Sequence, residues 1–517
     1  MKLDKLLEGA EVVGVSGPAV EVWSVAYDSR QVRPGALFVA MTGAKEDGNR
    51  FVFDAAERGA VAIASQLPAP ADWTLRQRSG GTEMPVVKKE KEATEHRLES
   101  LCHTWVQVRD ARKALATVAA NYYGRPADAL RLVGITGTKG KTTVSYLVDS
   151  MVRAWGAKCG LFGTVEYRTP AGTREAKTTT PESVDLQSFL AEVRDAGGTH
   201  AAFEVSSHAL ALDRVWGCHF AVAVFTNVGR DHLDFHQTME HYVGSKRRLF
   251  EGTGKGPPEV AVVNTDDAQG ASLLELVGRT LTYGLKNGAD LTAKKFRLDF
   301  SGLEFTAQTP AGKVEVRSPL VGRVNVYNIL AAIGAAQGLG IETPAIEKGI
   351  RDLANVPGRF ERVDAGQQFL VVVDYAHTGE SAASLIETAR ELNPNGRILS
   401  VFGCGGERDR ARRPLMGEFV SRGSQRVYLT TDNPRSEDPR NIINDILVGV
   451  QKAGTEYVVI EDRGEAIRRA IEDAQPGDIV LLVGKGHERY QILGGRTLPW
   501  SDAEEARKAL RERGFGK

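Results

Sequence analysis

The stretch GITGTKGKTT at residues 134–143 combines the residue types that bind phosphate groups. Its glycines let the chain turn tightly enough for backbone amides to point at an anion, and the helix expected after them would place its positive end there. Lys141 supplies a positive charge, and Thr142 supplies a hydroxyl that can bind magnesium. The common phosphate loop, G-x-x-x-x-G-K-[ST], requires a glycine where Ile135 stands, so this loop is a shorter variant.

Other polar loops follow short apolar runs in the last two thirds of the chain. These runs with their loops are THAAFEVSSH, FAVAVFTNVGRDH, EVAVVNTDD, FLVVVDYAHT, RILSVFGCGGERD, RVYLTTDNPR, YVVIEDR and DIVLLVGKGHE. Helical patterns separate them, which predicts mainly parallel sheets covered on both faces. Because such sheets bind ligands beyond the carboxyl ends of their strands, we expect two ligand-binding rims on two domains.

Two segments rich in glycine and proline, 122–132 and 353–368, divide the chain. They divide the predicted α/β protein into three domains. The first is a smaller α/β N-terminal domain, the second has a parallel sheet and is expected from its phosphate loop to be a P-loop-type ATPase domain, and the third is expected from its alternating strands and helices to be a C-terminal Rossmann-like domain. The expected bounds are 1–127, 128–355 and 356–517. Residues from about 68 to 103 are polar, broken and mixed in charge, which predicts a surface insertion in the first domain.

The composition is that of an ordinary globular protein. Sixty-six basic residues balance sixty-six acidic ones, which argues against bulk electrostatic binding to nucleic acid or to anionic membranes. The sequence has neither a signal-peptide pattern nor a run of ~18 apolar residues that could span a bilayer. Its four cysteines are scattered and form no metal-ligand spacing. We therefore expect a cytoplasmic protein with buried thiols.

The stretch TGTKGKTT resembles the loop of the Mur ligases, the ATP-dependent enzymes that add amino acids to the peptidoglycan precursor. Those enzymes more often have asparagine where Lys139 stands. Further motifs resemble the members that add the third amino acid: TTTPES, EVSSHAL, FTNVGRDHLDFH, GRVNVYN and VDYAHT. The segments YDSRQVRPGALFVA and GAKEDGNRFV resemble their uridine-binding first domain. The resemblance covers the chain apart from the segment at about 68–103.

This resemblance implies an amide ligase of cell-wall synthesis. The family activates a substrate carboxylate with ATP to an acyl phosphate, and an amine then displaces the phosphate. The implied acceptor is the γ-carboxyl group of UDP-N-acetylmuramoyl-L-alanyl-D-glutamate, and the implied amine is meso-diaminopimelate. The implied cofactors are ATP and Mg²⁺. Its partners would be small-molecule substrates, with no nucleic acid and no membrane insertion, and the chain is expected to be a monomer.

The resemblance also implies residues for each substrate. Those for ATP are Gly137, Thr138, Lys139, Gly140, Lys141, Thr142, Thr143, Asn325, Arg359, Asp374 and His377. Those for the UDP-muramoyl dipeptide are Ser29, Thr179, Thr180, Ser206 and Arg214. The implied catalytic residues are Lys141, Glu204, His232 and Lys246. The implied metal ligands are Thr142, Glu204, His232 and Lys246 as a carbamate. Taken alone, Lys246 beside two arginines is typical of a solvated charge.

Besides Lys139, positions in three segments depart from the family pattern. Thr178 stands where the family often has asparagine, and Leu212 stands where one pattern has glutamine. The sequence HTGE at 377–380 replaces the more common HTPD. These changes affect single contacts or the loop conformation, and none removes a charge that catalysis needs.

The stretch TTDNPRSEDP bears on the identity of the amino acid. It follows the strand-like run RVYL, so Asp432 to Arg435 are expected on the ligand rim, although Asn-Pro is also a common turn former. By resemblance, DNPR is typical of ligases that add meso-diaminopimelate, which differs from lysine by one distal carboxylate. A guanidinium group binds a carboxylate bidentately. The implied contacts are Arg408, Asp432, Asn433, Pro434, Arg435, Gly484 and Glu488, with Glu488 for the distal ammonium.

Several alternatives remain open at this point. The chain could be the L-lysine-adding ligase of the same family, because some members with this arginine accept lysine. The next Mur ligase and a folate polyglutamate ligase are disfavoured by the DSR and DNPR segments. A non-catalytic protein that binds a nucleotide-sugar is a further alternative. The residues implied for phosphate and metal binding argue against a non-catalytic protein, because a protein that has lost its catalytic activity does not need them.

Overall fold

The computed structural model describes residues 1–43, 46–70, 73, 103–286 and 288–516. Most of the predicted insertion at 68–103 lies outside these residues. The chain forms two compact units, which are described separately. The first comprises Met1–Lys139, Gly156–Val263 and Asp267–Thr280, and the second comprises Gly140–Trp155, Asn264–Asp266 and Leu281–Lys517. The domain bounds at 127/128 and 355/356 stay a prediction.

The first unit begins with a five-stranded sheet in the order β1-β5-β4-β3-β2. Its strands are β1 (Val12–Ser16), β2 (Ser24–Ala26), β3 (Ala36–Val39), β4 (Ala60–Ser65) and β5 (Thr104–Val108). The accompanying helices are α1 (Leu3–Leu6), α2 (Val52–Glu57) and α3 (Ala111–Tyr122). Strands β2 to β5 pair in parallel, and β1 is antiparallel to β5. The apolar runs of β3 and β4 are buried because separate hydrophobic clusters cover the two faces of the sheet.

One residue within the predicted insertion belongs to the core. The Trp73 side chain is buried, and its ring centroid lies 5.1 Å from that of Trp105 on β5 and 5.7 Å from that of His103. Trp105 in turn donates a hydrogen bond from Nε1 to the carbonyl oxygen of Leu67. The polar composition of the surrounding sequence therefore concealed an aromatic anchor at residue 73.

An eight-stranded sheet carries the order β13-β12-β11-β6-β10-β7-β8-β9. Its strands are β6 (Arg131–Thr136), β7 (Cys159–Phe162), β8 (Glu166–Thr169), β9 (Gly172–Glu175), β10 (His200–Glu204), β11 (Phe220–Phe225), β12 (Val260–Asn264) and β13 (Thr280–Tyr283). The helices of this part of the chain are α4 (Lys141–Ala154), which belongs to the second unit, and α5 (Ser183–Asp195), α6 (Ser207–Ala211), α7 (Leu233–His236) and α8 (Met239–Glu251).

The centre of this sheet is parallel, as the apolar runs predict. Strands β12, β11, β6, β10 and β7 pair in parallel in that order, while β8 and β9 add an antiparallel edge. Every residue of β10, β11 and β12 is buried. Because the strands run the same way, the loops that follow Thr136, Glu204 and Phe225 emerge at one edge of the sheet.

The second unit contains two further sheets and a hairpin. Its strands are β14 (Thr292–Asp299), β15 (Gly302–Thr309), β16 (Gly312–Ser318), β17 (Glu361–Arg362), β18 (Leu370–Asp374), β19 (Ile398–Phe402), β20 (Arg426–Leu429), β21 (Glu456–Val459), β22 (Ile479–Val483), β23 (Tyr490–Leu493) and β24 (Arg496–Pro499). Its remaining helices are α9 (Arg323–Leu339), α10 (Thr343–Asp352), α11 (Gly379–Leu392), α12 (Arg412–Gly423), α13 (Pro439–Ala453), α14 (Arg463–Asp473) and α15 (Asp502–Glu512).

The six-stranded sheet of this unit has the order β17-β18-β22-β19-β20-β21, and all of its strands except β17 are parallel. Residues of α11, α12 and α13 form the hydrophobic cluster on one face, and residues of α14 and α15 form the cluster on the other. The predicted α/β class is confirmed. Among the described residues, no helix is both long and apolar enough to cross a membrane.

Candidate active site

The phosphate loop of the first unit is held by residues that follow β11. Gly137 has a φ of +147°, and a Cβ atom there would overlap the Thr226 hydroxyl, so no other residue type fits. The Thr138 amide donates to the Asn227 carbonyl oxygen at 2.8 Å, and the Lys139 amide donates to Asn227 Oδ1 at 3.0 Å. Thr226 Oγ1 donates to the Lys139 carbonyl oxygen at 2.7 Å. These hydrogen bonds hold the shorter loop in place without the additional glycine of the common phosphate loop.

Helix α4 of the second unit begins directly after this loop. Gly140 is its N-cap, with a φ of +89° in the left-handed region that glycine adopts without strain. Lys141, Thr142 and Thr143 form the first turn, and both threonines are buried. The positive end of the helix dipole and the Lys141 ammonium therefore lie at the start of the same helix, an arrangement suited to an anionic phosphate.

Glu204 ends strand β10, the neighbour of β6, and is opposite Ile135 in the parallel register. Its side chain is only 1% exposed. One carboxylate oxygen accepts from the Thr164 amide at 2.8 Å, and the other accepts from the Thr164 hydroxyl at 3.2 Å. This buried carboxylate is thus oriented at the strand end beside the phosphate loop. Thr164 was not among the predicted site residues, because nothing in its sequence neighbourhood indicates a binding role.

Lys246 on helix α8 is buried, with 2% of its surface exposed. Its Nζ donates to the Gly137 carbonyl oxygen at 2.8 Å and lies 4.3 Å from the centre of the Tyr242 ring. The Tyr242 hydroxyl lies 2.9 Å from Thr138 Oγ1 of the same loop. The interpretation of Lys246 as a solvated charge, which its arginine neighbours suggest, is therefore wrong. Its ammonium contacts the phosphate loop. Its carbamate stays a prediction.

Three histidines cluster near the segment 231–236. The ring centroid of His208 lies 4.8 Å from that of His232 and 5.4 Å from that of His236. Burial first, and then the two neighbouring histidines, lower the pKa of His208 to about 4. His236 Nε2 lies 2.9 Å from the Ser207 hydroxyl. The backbone of His232 is left-handed, with a φ of +53°, so the segment holds this ring in an uncommon conformation.

The donor types at these strand ends fit a magnesium ion. Mg²⁺ prefers hard oxygen ligands, and the Glu204 carboxylate is such a donor, buried and already oriented. Within the described ranges, no group of three or more His, Cys, Asp or Glu side chains is close enough to hold a metal by itself. A magnesium ion at Glu204 would therefore need further oxygen ligands, such as a threonine hydroxyl and phosphate oxygens.

The residues predicted for the muramoyl dipeptide form a hydrogen-bonded group beside β10. Thr180 Oγ1 donates to the Glu204 carbonyl oxygen at 2.8 Å and accepts from the Ser206 amide at 3.0 Å. Arg214 donates to the Thr180 carbonyl oxygen at 3.0 Å and to Glu182 at 3.1 Å. The Thr179 hydroxyl lies 3.1 Å from that of Thr164. The structure thus brings Thr179, Thr180, Ser206 and Arg214 together next to the Glu204 backbone.

Ser29 lies in the five-stranded sheet region, where it begins a short 3₁₀ turn capped by the Asp28 carboxylate. Its side chain is buried. The neighbouring Tyr27 hydroxyl donates to Asp185 on α5 at 2.8 Å, which connects this region to the helix that follows the TTTPES segment. Burial and the Asp185 carboxylate raise the pKa of Tyr27, so the phenol keeps its proton and remains the donor.

Four residues of the second unit are predicted to bind the nucleotide, and their surroundings differ: Asn325, Arg359, Asp374 and His377. The Asn325 side chain is buried and donates to the Val321 carbonyl oxygen at 2.6 Å. Asp374 ends β18, and its carboxylate accepts from the Phe360 amide at 2.7 Å and the Ala376 amide at 2.8 Å. The Arg359 guanidinium lies 5.4 Å from the centre of the Tyr375 ring, against which the His377 ring also packs. Their contacts with ATP stay predictions.

A cavity of about 300 Å³ opens at the carboxyl ends of β18, β19, β20 and β22. Six of the seven residues predicted for diaminopimelate line it: Arg408, Asp432, Asn433, Arg435, Gly484 and Glu488. The seventh, Pro434, is not part of the wall, and its carbonyl oxygen occupies the space that a Cβ atom at Gly406 would need. The wall also contains His377, which is predicted to bind ATP, and residues without a predicted role, namely Tyr375, Gly403, Cys404, Gly405, Asp409, Arg412, Arg413 and Met416. The cavity therefore contains side chains of both charges.

The backbone of Arg435 is fixed in a strained conformation, with a φ of +56°. Its amide donates to the Ile492 carbonyl oxygen at 3.2 Å, and its guanidinium donates to the Gly406 carbonyl oxygen. The loop that carries Gly406 is also anchored, because the buried Arg413 donates to the Gly405 carbonyl oxygen at 3.3 Å and binds Glu437 and Asp445. This strain is consistent with a functional position for Arg435.

The fold and the shortened phosphate loop define a nucleotide-binding α/β enzyme. Three family models match the chain: the Mur ligase family catalytic domain over residues 21–123, the Mur ligase middle domain over 135–336 and the Mur ligase glutamate ligase domain over 358–486. The chain belongs to the Mur ligase family, whose members are ATP-dependent.

Related proteins match this chain over nearly the whole length of both sequences. A UDP-N-acetylmuramoyl-L-alanyl-D-glutamate–2,6-diaminopimelate ligase of Solibacter usitatus is 46% identical over 100% of this chain and 99% of its own. A solved structure of a ligase with the same name is 32% identical, covers 95% of each chain and has a TM-score of 0.66. The MurF ligase of Thermotoga maritima, solved with ADP, is 19% identical over 95% and 98% of the two chains with a TM-score of 0.58, which shows the shared fold.

Proposed function

We propose that this chain is the ATP-dependent ligase that joins meso-diaminopimelate to UDP-N-acetylmuramoyl-L-alanyl-D-glutamate in peptidoglycan precursor synthesis. The observation that carries the choice of amino acid is the cavity at the end of β20 and β22. Arg435 and Glu488 both line it, so it offers a guanidinium and a carboxylate to one ligand. The distal end of meso-diaminopimelate carries an ammonium and a carboxylate, which match these two groups.

The first chemical step is activation of the carboxylate. An oxygen of the D-glutamate γ-carboxylate attacks the γ-phosphorus of ATP, the bond to the β,γ-bridging oxygen breaks, and ADP leaves. Negative charge is spread over the phosphoryl oxygens during this step, so cations and aligned donors lower its barrier. Residues 137–143, which form the loop and the first turn of α4, are proposed to bind the ATP phosphates, with the Lys141 ammonium supplying positive charge. Asn325, Arg359, Asp374 and His377 are proposed to bind the nucleotide.

The second step forms the amide. The diaminopimelate amino group, in its neutral form, attacks the acyl carbon, the carbon–oxygen bond to the phosphate breaks, and the nitrogen loses a proton. Inorganic phosphate leaves with the bonding electrons. Ser29, Thr179, Thr180, Ser206 and Arg214 are proposed to hold the UDP-muramoyl dipeptide, with the Arg214 guanidinium giving the group a positive charge.

We also propose Mg²⁺ as the metal, held by Thr142, Glu204, His232 and the carbamate of Lys246. The ion would neutralise phosphate charge when bound. Support for the set comes from the oxygen donors at Glu204 and Thr142 and from the buried position of Lys246 beside the Gly137 carbonyl oxygen. A monomer in the cytoplasm, where ATP and UDP-linked precursors are found, is proposed as the working form.

Phosphate release by the purified protein tests this function directly. With ATP, Mg²⁺ and the UDP-muramoyl dipeptide present, release should require an added amino acid and should be fastest with meso-diaminopimelate. A panel of L-lysine, D-lysine, L-ornithine and D-alanyl-D-alanine identifies the alternatives. Equal use of L-lysine would overturn the amino-acid assignment, and binding of the UDP-muramoyl dipeptide without any phosphate release would identify a non-catalytic protein.

A further inference from the structure

Lys485 lies behind the cavity wall and is fully buried, with 0% of its side chain exposed. Its Nζ donates to Asn433 Oδ1 at 3.0 Å and to Glu488 Oε2 at 3.2 Å. It also lies 3.7 Å from the Asp432 carboxylate. A lysine ammonium has three protons and no acceptor, so two of these three oxygens accept its hydrogen bonds, and the third, on Asp432, lies at ion-pair distance. All three belong to residues that line the cavity.

The contacts of Lys485 join two segments that are far apart in the chain. Asp432 and Asn433 follow β20, whereas Lys485 and Glu488 follow β22. Asn433 Nδ2 donates to Glu488 Oε2 at 2.8 Å, the same oxygen that Lys485 binds. Because Lys485 and the Ile492 amide both donate to Asn433 Oδ1, the amide nitrogen of Asn433 must face Glu488. One ammonium therefore fixes the orientation of two side chains at the cavity.

Charge gives Lys485 a second effect. Asp432 and Glu488 bring two carboxylates to this wall, and Lys485 is the cation between them. If its charge is removed, the wall becomes more negative by one unit in a poorly solvated place, where charge interactions are strong. The more negative wall then increases the affinity for a ligand whose distal end is an ammonium alone. The affinity for a ligand whose distal end carries both an ammonium and a carboxylate does not increase in the same way, because its charges cancel. Lys485 should thus favour the zwitterionic end.

We propose that Lys485 is a positioning and specificity-determining residue of the amino-acid cavity. It holds Asn433 and Glu488 in the orientation that receives the distal ammonium, and it tunes the charge of the wall towards a zwitterionic substrate. This inference rests on the proposed function, because it assumes that the cavity receives meso-diaminopimelate. A structural ion pair without this role would affect folding stability and leave substrate preference unchanged.

The test replaces Lys485 with methionine, which keeps the length of the side chain and removes the charge. For Lys485→Met we expect the KM for meso-diaminopimelate to rise by roughly tenfold or more, since Glu488 and Asn433 lose their common donor. The KM values for ATP and for the UDP-muramoyl dipeptide should stay within about twofold. The preference for meso-diaminopimelate over L-lysine, as a ratio of kcat/KM values, should fall by roughly tenfold.

Lys485→Arg separates charge from packing. It keeps the positive charge but overfills the buried position, so its KM for meso-diaminopimelate should rise while its preference over L-lysine stays near that of the parent. If Lys485→Met does not fold, as judged by the thermal midpoint, Lys485→Gln provides the neutral variant with a remaining donor. The matched control is Lys452→Met, because Lys452 is exposed and binds Glu418 on the surface. It should leave every constant unchanged.

The outcomes distinguish the inference from the proposed function. If the parent protein does not use meso-diaminopimelate at all, the proposed function fails. If the parent uses it and the neutral variant keeps both the parent KM and the parent preference, the inference about Lys485 is overturned and the function stands. A neutral variant with a lower thermal midpoint but unchanged preference would reduce Lys485 to a structural ion pair and also overturn the inference.

Discussion

The Lys246 ammonium lies among groups that bind the phosphate loop rather than in solvent. It donates to Gly137, and the ring beside it belongs to Tyr242, whose hydroxyl contacts Thr138. Burial of a lysine is costly unless its charge is used or compensated. A carbamate would turn this cation into an anion that can bind metal, which gives a reason for a lysine at this buried position.

Lys246→Ala should therefore lose nearly all ligase activity, because the alanine provides neither the ammonium nor a carbamate. If the carbamate is the active form, a short carboxylate such as formate should restore part of the activity by occupying the same place. Steady-state phosphate release with and without formate measures both effects. The control is Lys348→Ala, an exposed lysine paired with Asp352, which should behave like the parent. Full activity of Lys246→Ala without formate would rule out the role.

Arg435 is the residue on which we expect the choice of amino acid to depend most. Arg435→Ala should raise the KM for meso-diaminopimelate steeply and leave the values for ATP and the UDP-muramoyl dipeptide nearly unchanged, because the distal carboxylate loses its partner. The parent should prefer meso-diaminopimelate over L-lysine by at least ~100-fold, as expected when a formed polar site lacks its substrate group. Kinetic constants for both amino acids provide the measurement.

Two variants control this experiment. Arg435→Gly removes the same side chain and relieves the left-handed backbone at this position, so it should match Arg435→Ala in KM while folding at least as stably. Arg440→Ala removes an exposed arginine nearby in sequence that binds Glu461 and should change no constant. An unchanged preference in both Arg435 variants would move the carboxylate contact to another arginine of the wall.

Helix α15 and the end of strand β22 depend on one fully buried ion pair. Arg463 Nε and Asp502 Oδ1 are 2.7 Å apart, and both side chains have no exposed surface. Arg463 also donates to the Val483 carbonyl oxygen at 3.2 Å, and the Trp500 indole donates to Asp502 at 2.8 Å. The pair therefore connects the starts of α14 and α15 to the strand end that leads into Gly484.

Asp502→Ala should lower the free energy of unfolding by about 3–5 kcal/mol, because it leaves the Arg463 guanidinium buried without its partner. Urea unfolding followed by fluorescence measures the change. Asp352→Ala, which removes an exposed carboxylate paired with Lys348, is the matched control and should cost little. A loss below about 1 kcal/mol for Asp502→Ala would mean that water or a rearranged side chain replaces the carboxylate.

Most parallel strands in the last two thirds of the chain could be predicted from sequence, and the antiparallel ones could not. Runs such as FAVAVF and IVLLV are apolar throughout because helices cover both faces of their sheet, and this leaves a clear signal. Strands β14 to β16 instead alternate buried and exposed residues and carry charges such as Lys294 and Glu304, so their sequence resembles a polar loop. The hairpin of β23 and β24 is short, and most of its residues lie outside the core.

The same distinction holds within the candidate site. Motif residues such as Glu204 and Arg435 could be predicted because they lie in short motifs that resemble those of the Mur ligases and that follow recognisable strand-like runs. Asn227 and Lys485 lie within the motifs FTNVGRDH and GKGHE, whose sequence points to other residues. Their own contacts are with partners up to about ninety residues away in the chain. Such long-range hydrogen bonds leave no local pattern, so only the structure identifies them.

At the scale of the whole molecule, the polar segment of the first unit should be dispensable for chemistry. Trp73 and His103 belong to the packed part of the sheet, so the replaceable stretch is 74–102. Exchanging those residues for a short Gly/Ser linker should leave turnover within a few-fold of the parent, because they are polar and lack apolar periodicity. Phosphate release by the shortened protein measures this, with thermal unfolding as the check on folding.

A matched variant tests the boundary itself. Replacing residues 73–102, so that Trp73 is also lost, should lower the thermal midpoint, because the Trp73 ring packs against those of Trp105 and Phe53. Equal midpoints for the two shortened proteins would show that Trp73 adds no stability. Loss of turnover in the 74–102 exchange alone would mean that the segment contributes to a substrate site.

The packing of Trp73 against His103 also makes this place useful for protein engineering. The rings of these two residues are 5.7 Å apart, so the two residues that flank the stretch 74–102 lie close together. A folded reporter whose own termini lie close together can be spliced between two such anchors without stretching the host. A fluorescent domain inserted there would mark the enzyme in living bacteria through a region that contains none of its proposed substrate contacts.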